Sequence, residues 1–188
     1  MTVIAALRNS RADDQITIPQ LPTYKFGDAL AGLIPGDSLA AKDLIAASLI
    51  PSHNDAADSL AIHSGKTKEN FYGKMNSIAQ EWGMSATQFS SASELEDTGN
   101  LSTARDMATL ARLAIRVQLI TDLAATSATS ITSSQGRRYQ LLTTNQLLND
   151  QRVTGLKTGY TPQAGECFIA LATINDRQIV TVMLGSYD

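Results

Sequence analysis

The chain has 188 residues, 43% of them apolar, with 15 lysines and arginines against 18 aspartates and glutamates and a formal net charge of -3. That composition supports a sizeable core within one domain and argues against disorder. The basic residues are scattered, adjacent only at Arg137 and Arg138, so there is no electrostatic footprint for nucleic acid. No apolar run reaches the roughly 18 residues that span a bilayer, so no membrane segment is expected. The opening "MTVIAALRNSR" has neither a basic leader nor a small-residue cleavage site, so no signal peptide is read there. Cys167 is the only cysteine, which excludes an internal disulfide, and it reads as a small buried hydrophobe.

In chain order, Val3, Ile4 and Leu7 already have helical spacing with no capping residue before them, as if the chain began inside a helix. From Asp14 to Pro35, short β-like pieces alternate with Pro and Gly. "SLAAKDLIAASLI" then reads as an amphipathic helix capped at Ser38 and ended by Pro51. "NDAADSLAIHS" is a second helix. "TKENFYGKMNSIAQEWG" is a third, with a core stripe of Phe71, Met75, Ile78 and Trp82. "STARDMATLARLAIRV" is a fourth, capped at Ser102, with Asp106 in its first turn, and continuing to about Leu119.

After Thr126 the period changes to about 2. "TSATSIT" and "RRYQLLTT" flank a Ser-Gln-Gly turn, and "RVTGLKTGYT", "ECFIALATI" and "QIVTVMLGS" follow. Asn175-Asp176 marks a tight hairpin turn between the last two. A helical portion over about 38–125 and an antiparallel sheet portion over about 126–188 make the fold class α+β.

Two polar clusters stand out. Ser52 and Asn54 lie where one helix stops and the next starts, a place where Ser, Asn and Asp ordinarily serve as caps. Lys157 sits in a β-branched run as Lys-Thr-Gly, where a lysine ordinarily faces solvent or guards an edge; no other lysine follows Lys74. His53 and His63 are too far apart to suggest a site, and no His, Asp or Glu cluster has metal-ligand spacing, so neither metal nor cofactor is expected. Leu156 before Lys157-Thr158 rules out a phosphate-binding loop, which needs Gly there.

Taken in this order and about 100 residues apart, the clusters resemble the second and third elements of the penicillin-binding proteins, recognised by Ser-x-x-Lys, Ser-x-Asn and Lys-Thr-Gly. "PSHNDAADSLA", "GLKTGYT", "STARDMATLAR", "TTNQLL" and "AGECFIALA" are together similar to the low-molecular-mass members, the serine D-alanyl-D-alanine carboxypeptidases of the β-lactamase-like superfamily. The resemblance implies a penicillin-sensitive, cofactor-free hydrolase outside the cytoplasmic membrane. It would act on the terminal D-Ala-D-Ala of peptidoglycan stem peptides through an acyl-serine and bind β-lactams. It also implies roles. Lys157 and Thr158 would anchor the substrate carboxylate, and Gly159 would let the substrate lie along the strand. Ser52 would relay a proton, Asn54 would hold the substrate amide, and the Tyr160 backbone N–H would form half of an oxyanion hole. Ser52, Asn54 and Lys157 should then converge on one groove, with the Ser52 hydroxyl within about 8 Å of the Lys157 ammonium.

Departures from the family pattern carry expectations of their own. His53 stands where the family usually has Gly, and is read as pointing outward; "SASELED" puts Glu94 where a glycine is usual. Glu94 and Glu96 would be the place to look for a deacylating base if the chain were instead a β-lactamase. No serine is followed three residues later by lysine, so the nucleophile segment is expected just ahead of Met1, and the 188 residues alone are expected to be inactive. A non-catalytic binder of D-Ala-D-Ala ends or β-lactams is the alternative from another class. The family also continues beyond "MLGSYD" and adds an N-terminal hairpin to the last strand. The chain thus reads as one partial domain, 1–188, without the N-terminal strands and C-terminal helix. It would have three of five principal strands and an unpaired edge over about Gln178 to Ser186, leaving it marginally stable, self-associated or completed by another chain.

Overall fold

In the structure, a computed structural model that describes residues 1–25, 27–93 and 99–187, the helical spacing at the start becomes α1 (Thr2–Leu7). The next strand, β1 (Gln15–Thr17), pairs antiparallel with β2 (Ser38–Ala40), and α2 (Ala41–Leu49) follows directly. Ser38 is therefore a strand residue and not a cap. The first free N–H groups of α2 are met by the chain that runs past them, Ala41 N donating to Asp14 O at 2.8 Å and Lys42 N to Ala12 O at 2.8 Å. With those carbonyls in place a side-chain cap is unnecessary.

The centre of the helical part is α3 (Asn54–Gly65), with Ala56, Leu60 and Ala61 fully buried. Its last residue shows why the next helix crosses so closely, since a Cβ on Gly65 would lie 2.7 Å from Phe71 Cβ. In α4 (Lys68–Glu81) the expected stripe is core at Phe71, Met75 and Ile78. Trp82 is at the rim instead, under the Arg8 guanidinium at 5.4 Å from the ring centroid.

The expected fourth helix is two. Thr103, not Ser102, caps α5 (Ala104–Ala114) by accepting from Asp106 N, and Ser102 pairs with Thr87. Val117 is extended and starts α6 (Gln118–Ala124). The 3.6-residue spacing runs through this break, which is why the sequence reads as one element.

Of the β half, β3 (Ala128–Thr132) and β4 (Arg138–Leu142) form a hairpin of their own. It is fastened to the β2 end by Ser134 N donating to Ser38 O at 2.8 Å and Ser134 Oγ to Asp37 at 3.0 Å. The three-stranded antiparallel sheet is β5 (Val153–Thr161), β6 (Gly165–Ile174) and β7 (Arg177–Ser186), in that order. Asn175 and Asp176 adopt φ of 49° and 60°, as a two-residue hairpin turn requires. Gly155 lets β5 approach α6, since a Cβ there would lie 2.8 Å from Ala124 Cβ. Among the described residues, the outer edges of β5 and β7 have no strand partner.

One side chain anchors 31–33 of the irregular segment between β1 and β2. The Asp55 carboxylate, 2% exposed, accepts from the N–H groups of Ala31 (3.0 Å), Gly32 (2.9 Å), Leu33 (3.0 Å) and its neighbour Ala56 (2.9 Å). Removing an acceptor shared by several buried donors leaves each of them unsatisfied. Asp55→Ala should therefore lower stability by about 3 kcal/mol in chemical denaturation, with Asp55→Asn intermediate; a loss within the ~0.5 kcal/mol typical of surface substitutions would contradict this anchoring role.

Candidate active site

Ser52 follows the end of α2 and precedes α3, and it does so at φ +61°, an unusual conformation for a residue other than glycine. Neighbouring hydrogen bonds impose it. His53 N donates to Ala47 O at 2.9 Å, and Asn54 N to Ala29 O at 2.8 Å, so the chain is clamped on the C-terminal side of the serine. Strain of this kind is kept only where the surroundings over-determine it. The result is that the Ser52 hydroxyl leaves the helical part and accepts a hydrogen bond from Lys157 Nζ, 105 positions away.

Lys157 lies on β5 opposite Ile169 of β6, and its ammonium also donates to Thr158 O at 2.5 Å. Because β5 is an edge of the sheet among the described residues, alternate backbone N–H and C=O groups face away from β6, toward the helical part. Thr158, Gly159 and Tyr160 continue along that edge, opposite Phe168, Cys167 and Glu166. The Thr158 hydroxyl is 2.5 Å from that of Thr144, and the Tyr160 side chain is 65% exposed.

A cavity of about 410 Å³ is lined by Ser52, His53, Asn54 and Lys157 together with apolar side chains that include Leu110 and Leu156. Asn54 is 4% exposed, and its side-chain amide donates to Ala29 O at 3.1 Å. Three of the site residues expected from sequence are thus brought together, while Thr158, Gly159 and Tyr160 follow on the strand beyond. Two expectations are corrected. His53 does not point out: it is half-buried and lines the cavity, and its Nδ1 is sealed from solvent without a hydrogen-bond partner. Cys167 is half-buried on the cavity wall and not in the core, because β6 presents it across from Gly159, which has no side chain to cover it. Glu94 and Glu96 lie outside the described residues.

The electrostatics follow from burial. Met1, the residue ahead of α1, lines the same cavity as Lys157, where burial excludes water. Desolvation lowers His53 from its ordinary 6.5, against the opposing pull of Asp55. Sequence reasoning missed Asp55, whose signal was hidden because an Asp in a helix's first turn is ordinary, and Thr144, one hydroxyl among many in the β half.

The arrangement brings together an ammonium, two hydroxyls and an exposed strand edge, groups of the kind that can hold an anion and pass a proton. With that geometry in hand, comparison with known proteins is specific. Residues 1–187 match the D-alanyl-D-alanine carboxypeptidase family. The chain is 31% identical over 162 residues to D-alanyl-D-alanine carboxypeptidase DacF of Bacillus subtilis, covering 86% of this chain and 42% of that one. It is 34% identical over 163 residues to DacC of Escherichia coli, covering 85% and 40%. The solved Streptomyces K15 DD-transpeptidase superposes with a TM-score of 0.89 at 27% identity, covering 100% of this chain and 78% of that one. The chain belongs to the D-alanyl-D-alanine carboxypeptidase family and has its α+β fold, and it spans about two fifths of the length of DacF and DacC.

The sign of the His53 effect is testable. Its proton is bound more weakly in the folded than in the unfolded chain, so its contribution is complete above about pH 6.5 and is lost as pH falls below that toward the folded value. Wild type should lose more stability between pH 7 and pH 5 than His53→Gln. Equal losses in parallel urea melts would show that the imidazole is not held in a desolvated place.

Proposed function

We propose that this chain carries the substrate anchor and proton relay of a penicillin-sensitive serine D-Ala-D-Ala carboxypeptidase that works on peptidoglycan stem peptides outside the cytoplasmic membrane. The observation that carries the reading is the hydrogen bond from Lys157 Nζ to Ser52 Oγ across the two halves of the fold. An ammonium can only donate, so the Ser52 oxygen accepts, and the serine's own hydrogen remains available for transfer. That is the state needed to protonate a leaving amine. Lys157 and Thr158 would receive the terminal carboxylate, Gly159 leaves the strand uncovered for the substrate backbone, Asn54 would hold the substrate amide, and the Tyr160 N–H would help stabilise the oxyanion. Among the described residues no helix is long and apolar enough to cross a membrane.

The acyl-forming serine would come from a Ser-x-x-Lys segment, a pattern these 188 residues do not contain. Met1 lines the same cavity as Ser52 and Lys157. Loss of a serine hydrolase's nucleophile costs on the order of 10⁶-fold in kcat. The 188-residue chain should therefore show no covalent adduct by intact mass spectrometry after incubation with a penicillin. The chain extended upstream through a Ser-x-x-Lys segment should gain the drug's mass, and Lys157→Ala in that longer chain should lose it. An adduct on the 188-residue chain, or an unchanged one in the Lys157→Ala variant, would overturn the reading.

The partner reading extends to self-association. β7 exposes Ile179, Met183 and Leu184 at 43%, 44% and 37% beside an edge with no strand partner among the described residues, the kind of edge that pairs with another chain unless charge blocks it. Sedimentation of the 188-residue chain should give a dimer or larger species that Ile179→Lys shifts toward monomer. A wild-type monomer at all concentrations would count against it.

A further inference from the structure

The turn between β4 and β5 opens with Thr143, Thr144 and Asn145, and the first and third of these hold it. Thr143 N donates to Ser127 O at 2.9 Å and Thr143 Oγ1 accepts from Asn145 N at 3.1 Å, while Asn145 Oδ1 accepts from Leu147 N at 3.0 Å to start the short 3₁₀ turn Gln146–Asn149. The middle residue is different. Thr144 is exposed, its backbone N–H hangs from Ile50 O at 3.3 Å, two residues ahead of Ser52, and its hydroxyl lies 2.5 Å from the Thr158 hydroxyl. An exposed pair of neutral hydroxyls adds little to folding stability, so the pairing is not explained by the fold.

We infer that Thr144 is a positioning residue for the carboxylate anchor, acting through the Thr158 hydroxyl. This rests on the carboxypeptidase reading above. Each threonine hydroxyl has one hydrogen. Two hydroxyls at hydrogen-bond distance spend one hydrogen between them, and the other is left for a further partner with its rotation restricted. When Thr144 donates, the Thr158 oxygen is held as acceptor and its only hydrogen is available to the incoming carboxylate. The Thr158 carbonyl is already occupied by Lys157 Nζ at 2.5 Å, so neighbouring groups present an ammonium and an oriented O–H to one anion. Ordering this hydroxyl before binding removes a rotor that the ligand would otherwise have to fix.

The test uses the 188-residue chain and two probes, an N-acylated D-Ala-D-Ala peptide with a free C-terminal carboxylate and the same peptide as its C-terminal amide. The quantity read is the ratio of their dissociation constants. Thr144→Val, which keeps the shape and removes the hydroxyl, should reduce the preference for the carboxylate by about five-fold, and Thr144→Ser should restore it. If Thr144 acts through Thr158, adding Thr144→Val to Thr158→Val should cause no further loss, an outcome that a general structural effect would not produce. A wild type that discriminates while Thr144→Val keeps the same ratio overturns this inference alone. A wild type that shows no preference for the carboxylate overturns the carboxypeptidase reading and this inference with it.

Discussion

Four N–H groups converge on the Asp55 carboxylate, and the site depends on that convergence more than on any residue that faces the groove. The segment between β1 and β2 has little regular structure, so it has few backbone partners of its own and needs an acceptor from elsewhere. Asp55 provides it from the first turn of α3, where negative charge also complements the helix dipole. Once 29–33 is fixed there, Ala29 O is in place to receive both the backbone N–H and the side-chain amide of Asn54. Asn54 in turn fixes the residue before it, and Ser52 is left in the left-handed region with its hydroxyl aimed at β5. The chain of cause runs from a buried carboxylate through a loop to a strained serine.

The other half of the site obeys a different constraint. Lys157 is a strand residue, and a strand fixes direction through pairing. Its register against Ile169 decides which face carries the ammonium, and a one-residue slip would turn it away from Ser52. The Lys157–Ser52 hydrogen bond therefore joins groups set by unrelated local rules. Gly155, where α6 comes within van der Waals contact of β5, fixes the distance between them.

This division explains what could be read in advance. Period and turn chemistry are local, so the stripe of Phe71, Met75 and Ile78, the strands after Thr126 and the Asn175-Asp176 turn were all legible, and the two motifs marked Ser52, Asn54 and Lys157. What was not legible is what neighbours decide. Ser38 looks like a cap until the carbonyls of Ala12 and Asp14 make a cap unnecessary. A helix read through Leu119 breaks because Val117 is extended, a change the hydrophobic period does not register. β3 and β4 have the pattern of sheet strands but, among the described residues, pair with each other and are fastened to Asp37 and Ser38. Asp55, Thr144 and the inward His53 act through partners far away in sequence, which no spacing rule reports.

The central claim is that an ammonium and a hydroxyl on one strand edge, faced by a serine from the helical part, form a receptor for a terminal carboxylate. The most direct measurement is a crystal structure of the chain with an N-acylated D-Ala-D-Ala peptide. The account predicts the peptide extended along β5, with its carboxylate within hydrogen-bond distance of Thr158 Oγ1 and Lys157 on the strand, and its last amide nitrogen next to Ser52 Oγ. A carboxylate seated away from β5, with the Ser52–Lys157 hydrogen bond untouched by the ligand, would contradict it.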